Sequence, residues 1–412
     1  MKWYYLPFIF IFLSFSLPTI NFSSDMYCWT VWSNAFFEHG FVKGYEISGC
    51  NYLPLYMYVL KIYGWYNGSV EEIGRNINYL KLFTLVFDVL TIYLLINLLV
   101  KFNISPYKSF LVLFNIAFLY NSIIWGQVDS IFTFFGLASI LFALNKKVLW
   151  SIIFLVLALN AKLQAIIFIP IVVIVLLPAV FENPRSLING LIGGLIIQIV
   201  ILLPFLLENK SDLVLKVAFG SVGYYPVVSM NAFNFWYLIM DGNLREVSDE
   251  ILFYGIKYKT WGLILFFLFS FISLLPLLLS TLNIIIEKKE KSMEYYKIVF
   301  LAAAAIPLVF FYFNTEMHER YSHAMIIFIG FYALISSNYL TYFLLSAGYF
   351  LNMEKVLTFL SLKNYNTIIF DVSFISLLFL VGLISIQFQL YSNITGNELS
   401  FLKKIKLKLR YS

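Results

Sequence analysis

Residues 80–100 read LKLFTLVFDVLTIYLLINLLV, a run with two charges, Lys81 and Asp88. A helix needs about 20 apolar residues to cross the hydrocarbon core of a bilayer. The run is continuously apolar rather than alternating, so it spells a helix and not a strand of a closed barrel. Residues 188–207 and 261–286 read the same way. The whole chain agrees with them. Of its 412 residues 61% are hydrophobic and only 12% charged, against about 25% charged in a soluble domain. That deficit excludes a soluble globular protein and predicts an all-α integral membrane protein.

Hydropathy predicts about twelve transmembrane helices, near 3–20, 80–100, 109–125, 130–145, 148–160, 164–180, 188–207, 261–286, 296–313, 322–336, 339–352 and 366–390. The first lacks an A-x-A cleavage site and reads as an uncleaved helix. Pro170 and Pro178 predict a kink in the sixth. The apolar run at 53–66 carries Pro54 and Lys61 and is too short to span, which predicts an interfacial or re-entrant helix.

The net charge of +6 does not point to nucleic acid, because the basic residues collect in short loops on one side. With the N-terminus inside, those loops hold Lys101, Lys108, Lys146, Lys147, Arg185, Lys288, Lys289, Lys291 and Lys297, as the positive-inside rule requires. Two long loops, 21–79 and 208–260, then lie outside and can form a lid or platform. Residues 1–390 make one transmembrane domain, and 391–412 a basic cytoplasmic tail. Cys28 and Cys50 can pair if their loop is extracytoplasmic; two separate thiols are the alternative.

On this topology the unusual polar residues gather at the outer face. Asp25 follows the first helix, and Gln127 and Asp129 lie between the third and fourth. Lys162 and Gln164 lie between the fifth and sixth, and Glu316, His318, Glu319, Arg320 and His323 between the ninth and tenth. Asp88 lies inside the second helix, about 10 Å from its outer end. Plainer roles are open to each: a solvated loop charge for Asp25, an N-cap for Asp129, a snorkelling stem for Lys162, a solvated turn at 316–323, and a buried hydrogen-bond hub at Asp88. Together, beside Trp29, Trp32, Tyr52, Tyr56, Trp125, Phe235 and Trp236, they predict one polar cavity with aromatic walls.

Four stretches carry a family resemblance: DMYCWTVWSNAFFEHGFVKGY at 25–45 with YLPLYMY at 52–58, KLFTLVFDVLTIYLL at 81–95, YNSIIWGQVDSIFTFF at 120–135, and MHERYSHA at 317–324. The chain resembles the GT-C superfamily of membrane glycosyltransferases that use polyprenyl-phosphate sugars, in the branch similar to GPI mannosyltransferase 2. Asp25 matches that branch's Asp after the first helix, 125–130 its W-G-Q-x-D-S, and 318–321 its H-E-R-Y. Leu53 interrupts the Tyr-Pro-Pro-like string, and Lys162-Leu163-Gln164 replaces Lys-Pro-Gln.

The resemblance implies a GT-C-like bundle with juxtamembrane helices in the first outer loop. It implies transfer of a sugar, mannose by the branch, from a polyprenyl-phosphate donor to a hydroxyl of a glycan, glycolipid or protein at the outer face of the cell membrane. Displacement at the anomeric carbon needs a carboxylate to take the acceptor proton and cations to meet charge developing on the phosphate. Asp25 is the expected base, with Asp129 next. Lys162, His318 and Arg320 are the expected phosphate partners. Asp88, Gln127, Gln164 and Glu319 would orient substrate or cations, and inversion is expected. No cofactor is expected. Asp25, Asp129, Glu319 and His318 can supply metal ligands, but no dense ligand motif demands an ion. An O-antigen polymerase or ligase, or a lipid-linked oligosaccharide flippase, fits the topology but gives no reason for W-G-Q-V-D-S or H-E-R-Y.

Overall fold

The computed structural model describes residues 2, 5–19, 23–221 and 223–393. The basic tail, from residue 394 on, lies outside the described residues. Helix α1 is Tyr5–Ser14, followed by four helices before residue 80: α2 (Ser24–His39), α3 (Phe41–Ile47), α4 (Pro54–Asn67) and α5 (Val70–Arg75). The apolar run at 80–100 is one helix, α6 (Leu80–Lys101). Next come α7 (Phe110–Leu113) and α8 (Ile116–Leu119), the latter continuing as a π-helix over Tyr120–Trp125. Then follow α9 (Asp129–Leu144), α10 (Val148–Ala161), a 3-10 turn over Leu163–Phe168, α11 (Ile169–Glu182) and α12 (Arg185–Leu207). The second long loop holds α13 (Ser211–Gly220), α14 (Trp236–Ile239) and a minimal antiparallel hairpin, Leu252–Phe253 with Ile256–Lys257. The chain closes with α15 (Tyr258–Glu287), α16 (Met293–Phe313), α17 (His323–Ser336), α18 (Leu340–Leu357) and α19 (Val372–Ser392).

Helix forms at every predicted segment, but fewer are plain membrane spans than hydropathy alone suggested. Among the described residues six helices are long and apolar enough to cross: Ile77–Lys101, Leu163–Glu182, Arg185–Leu207, Tyr258–Glu287, Met293–Phe313 and Val372–Ser392. The pair Pro106–Leu113 and Ile116–Trp125, bent by 56°, makes a seventh if taken as one span. α1, α9, α10 and α17 are shorter. A 16-residue helix such as α9 covers about 24 Å of a core of about 30 Å, with a reason at one end. Asp129 and Lys162, at the facing ends of α9 and α10, are buried in protein, where irregular backbone is tolerated at membrane depth.

Pro170 sits at the start of α11, where its missing N–H costs nothing, so only Pro178 stands inside the helix. The break after α7 has its own cause. Asn115 caps α8 by accepting from Phe118 N at 3.1 Å, and its amide donates to Tyr342 and Ser346 hydroxyls at 2.7 Å each. The core runs through α16, 89% buried over its apolar window, while α12 and α15, at 22%, present their sides outward.

Contacts between elements sort into two ends. At one, Asp25, Trp125, Asp129, Lys162 and Arg320 meet. At the other, Lys101 meets Tyr296, Lys291 meets the end of α9, and Lys146 meets Glu182. Cys28 and Cys50 are both free thiols, so the disulfide is not formed.

Candidate active site

Asp25 lies in the first turn of α2, whose start is laced to the Trp125-Gly126-Gln127 turn. Ser23 caps the helix by accepting from Met26 N at 3.4 Å and donates to Trp125 O at 2.6 Å. Trp29 donates its indole N–H to Gly126 O at 3.1 Å, and Trp125 donates its own to Asp25 Oδ2 at 2.7 Å. Gly126 is dictated twice over. Its φ of +76° suits glycine, and a Cβ there would meet Met26 Sδ at 2.3 Å. The π-helix leading into this turn is a local distortion frequent at functional sites.

Arg320 comes from the loop between α16 and α17 and is 7% exposed. Its Nη1 donates to Glu319 Oε1 at 2.6 Å and its Nη2 to Asp25 Oδ1 at 3.3 Å. The guanidinium stands 5.8 Å from the Trp125 ring centre and 5.7 Å from that of Tyr321. Burial opposes its charge, but Asp25 and Glu319 outweigh burial and hold its pKa well above the usual value. Burial raises the Glu319 carboxyl, with Arg320 pulling the other way. Burial, then the Arg320 and Lys162 charges, push His318 well below 6.5. His318 is therefore neutral, and its Nδ1 faces Arg320 Nη1 at 3.5 Å.

Asp129 is the first residue of α9 and does not cap it; it forms a buried ion pair with Lys162. Lys162 accordingly does not snorkel to the surface. Asn121 donates to Asp129 Oδ2 at 3.2 Å and faces His323 Nδ1 at 3.0 Å, and His323 Nε2 lies 3.3 Å from Ser130 Oγ. The two ion pairs share Tyr321, whose ring centre is 5.0 Å from Lys162 Nζ.

A cavity of about 320 Å³ adjoins this cluster, lined by Tyr52, Lys162, Gln164, Tyr225, Lys259, Glu316 and Tyr321 among others. Lys162 and Gln164 face it. Asp25, Asp129 and Arg320 do not, which corrects the expectation of one cavity lined by all four charges. Tyr52 and Tyr321 belong to both regions, lining the cavity and packing on the charged groups. Gln127 is fully buried; its Oε1 accepts from Val128 N at 3.1 Å and its Nε2 has no partner. Asp88 is also fully buried and not at the cavity. It sits beside Ser122 and Ser130, outside hydrogen-bond geometry with either.

The second long loop forms the platform at this end. Met230 N donates to Met317 O at 2.9 Å, Glu316 N to Val227 O at 3.1 Å, and Tyr225 N to Glu316 Oε2 at 3.3 Å. That strapping orients the 314–322 loop and brings Lys259 to the cavity, 3.7 Å from Glu316 Oε1. Sequence patterning does not single out Lys259, Asn121 or Tyr225, and it shows Lys81 only as a charge in an apolar run. Lys81 is 1% exposed, donates to Ile124 O at 3.4 Å, and has no ion pair among the described residues.

No group of three His, Cys, Asp or Glu side chains able to hold a metal occurs among the described residues. The four candidate ligands are engaged with other partners. Asp25 and Glu319 bind Arg320, His318 faces it, and Asp129 binds Lys162. Neither a family model nor a curated protein matches the chain, so the residues alone carry the functional reading.

Proposed function

We propose that this chain is a membrane glycosyltransferase that moves a sugar from a polyprenyl-phosphate donor to an acceptor hydroxyl at the end of the bundle carrying Asp25. With twelve crossings and the N-terminus inside, as the basic short loops argue, that end would face the extracytoplasmic side of the cell membrane. The observation that carries the reading is a buried guanidinium shared by two carboxylates, next to a cavity with two more cations, Lys162 and Lys259. A donor phosphate is the ligand that such a set accepts, because Arg binds it through a planar fork and Lys as a point charge. The exposed apolar residues Ile166 and Leu263 line the same cavity and offer a path for a lipid tail.

In this mechanism the Asp25–Arg320 pair, which lies beside the cavity and outside its lining, opens past Tyr321 when the donor phosphate competes with Asp25 for Arg320. Asp25, released from its ion pair but still held by the Trp125 indole, takes the proton of the acceptor hydroxyl. The acceptor oxygen bonds to the anomeric carbon from the face opposite the phosphate. The bond from that carbon to the phosphate oxygen breaks, and its electron pair leaves on polyprenyl phosphate, where Arg320 and Lys162 meet the charge. One displacement inverts the anomeric centre. Asp129 orients Lys162, Glu319 orients Arg320, and Gln164 and Lys259 face the sugar or acceptor. The branch resemblance makes mannose the first sugar to test, with a glycan, glycolipid or protein as acceptor.

A flippase or other transporter would share the bent α7–α8 pair. The Asn115 side chain at that break is taken up within the bundle, by Tyr342, Ser346 and Phe118 N. Purified protein incubated with a panel of polyprenyl-phosphate sugars tests the proposal. Release of polyprenyl phosphate from one of them, dependent on an added acceptor, supports it. Movement of intact lipid-linked sugar across vesicles without any cleavage would contradict it.

A further inference from the structure

The opposite end of the bundle holds a second crevice, of about 210 Å³, lined by Asn97, Leu98, Lys101, Phe142, Asn145 and Tyr296 among others. Lys101 ends α6, about 30 Å along the helix from Lys81, so the crevice is one hydrocarbon thickness from the proposed transfer site. Its cation is poised but not neutralised. Lys101 donates to the Tyr296 hydroxyl at 2.5 Å and stands 4.6 Å from that ring centre, with no carboxylate paired to it among the described residues. Two more lysines crowd the same end of α9. Lys146 is paired with Glu182, and Lys291 donates to Ala143 O at 3.1 Å and Leu144 O at 2.8 Å. Burial and then the Lys146 charge lower the Lys291 pKa to about 8, although Glu182 opposes this. Lys101 and Lys291 thus have no paired carboxylate among the described residues, and Lys101 stands in a crevice whose walls include Leu94, Leu98 and Phe142.

We infer that this crevice binds the phosphate headgroup of an anionic phospholipid of the cytoplasmic leaflet, with Lys101 and Tyr296 on the phosphate and an acyl chain along Leu98 and Phe142. Basic pockets between membrane helices on the cytoplasmic side bind such headgroups. Free phosphate would use the same ammonium but gain nothing from the apolar wall. The leaflet assignment rests on the orientation proposed above; the headgroup chemistry does not.

The test uses the full chain in detergent, titrated with dioctanoyl phosphatidylglycerol, dioctanoyl phosphatidylcholine or inorganic phosphate, and read by thermal shift and native mass spectrometry. Phosphatidylglycerol is expected to bind saturably at one site and raise the melting temperature, while the other two do neither. Lys101→Gln should weaken that binding at least tenfold, and Lys101→Arg should keep most of it, which separates lost binding from lost folding. Equal affinity of wild type and Lys101→Gln would overturn the site. Equal stabilisation by inorganic phosphate would overturn the lipid assignment. A reporter fused after Lys147 reads orientation separately. An extracytoplasmic signal there would overturn the leaflet and the sidedness of the transfer site, and would leave the detergent result standing.

Discussion

Arg320 sets its Nη2 3.3 Å from Oδ1 of Asp25, joining residues 295 positions apart in the chain. The same guanidinium holds Glu319 through Nη1, so one cation serves two carboxylates, the buried Glu319 and the half-buried Asp25. A lysine cannot reproduce that, because its ammonium is a point charge without a fork. Arg320→Lys is therefore expected to lower transfer by about 10- to 100-fold while the protein stays folded. Arg320→Ala leaves two carboxylates without their cation and is expected to lose about 3–5 kcal/mol of stability as well. Turnover and thermal melts on the same preparations check both.

Trp125 holds the other oxygen of Asp25, through a 2.7 Å hydrogen bond. Trp125→Phe keeps an aromatic ring but removes the donor. A hydrogen bond to a charged group is worth about 1.5–3 kcal/mol. The variant is expected to insert normally and turn over about tenfold more slowly, with donor affinity unchanged because Arg320 is intact. Comparing kcat with donor binding checks the split.

The Asp129–Lys162 pair is buried at both partners. Removing one member strands the other charge, so Asp129→Leu alone is expected to cost about 3–5 kcal/mol. Replacing both, as Asp129→Leu with Lys162→Met, should recover most of that stability yet stay inactive, because the phosphate loses a cation. A double-mutant cycle on melting and turnover separates the structural part from the chemical one.

His318 titrates with a definite sign. Burial, then Arg320 and Lys162, hold it well below its ordinary value of 6.5. Below pH 6.5 the unfolded chain takes a proton there that the folded chain refuses. Stability therefore falls with pH in that window, by at most about 1.4 kcal/mol per unit. Glu319 works the other way: its raised pKa makes the folded state take the proton first, so it gains stability as pH falls toward 4.5. The difference between wild type and His318→Gln isolates the histidine. The variant is expected to melt with a shallower acid-side decline between pH 6.5 and 5.

The helical segments were legible because apolar length is read directly from the sequence, as with 80–100 and α6. The short run at 53–66 was legible as the helix α4 for the same reason. Span number was less so, since α9 and α10 are shortened by the buried Asp129 and Lys162 at their ends, and hydropathy does not see a protein-lined interior. Shared sidedness put Asp25 and Arg320 at one end but carried no distance, so it gave neither their contact nor their exclusion from the cavity lining. Lys259 carries no signal in the sequence, because the platform loop that turns it toward Glu316 is set by backbone pairing with 316–317. Asn121 was hidden because the π-helix adds a residue to the turn and alters which side chains meet. Cys28 and Cys50 could be paired on paper only because spacing says nothing of side-chain direction.

The central claim is that Asp25 takes the acceptor proton beside a phosphate held by Arg320, and single-turnover transfer by Asp25→Asn tests it most directly. Asparagine keeps the shape and can still accept from Trp125, so the variant should insert and bind the donor. Its transfer rate is expected to fall by at least about 100-fold, the contribution of a general base, with Asp25→Glu keeping a trace. A rate for Asp25→Asn equal to wild type, on the same donor and acceptor, would contradict the account.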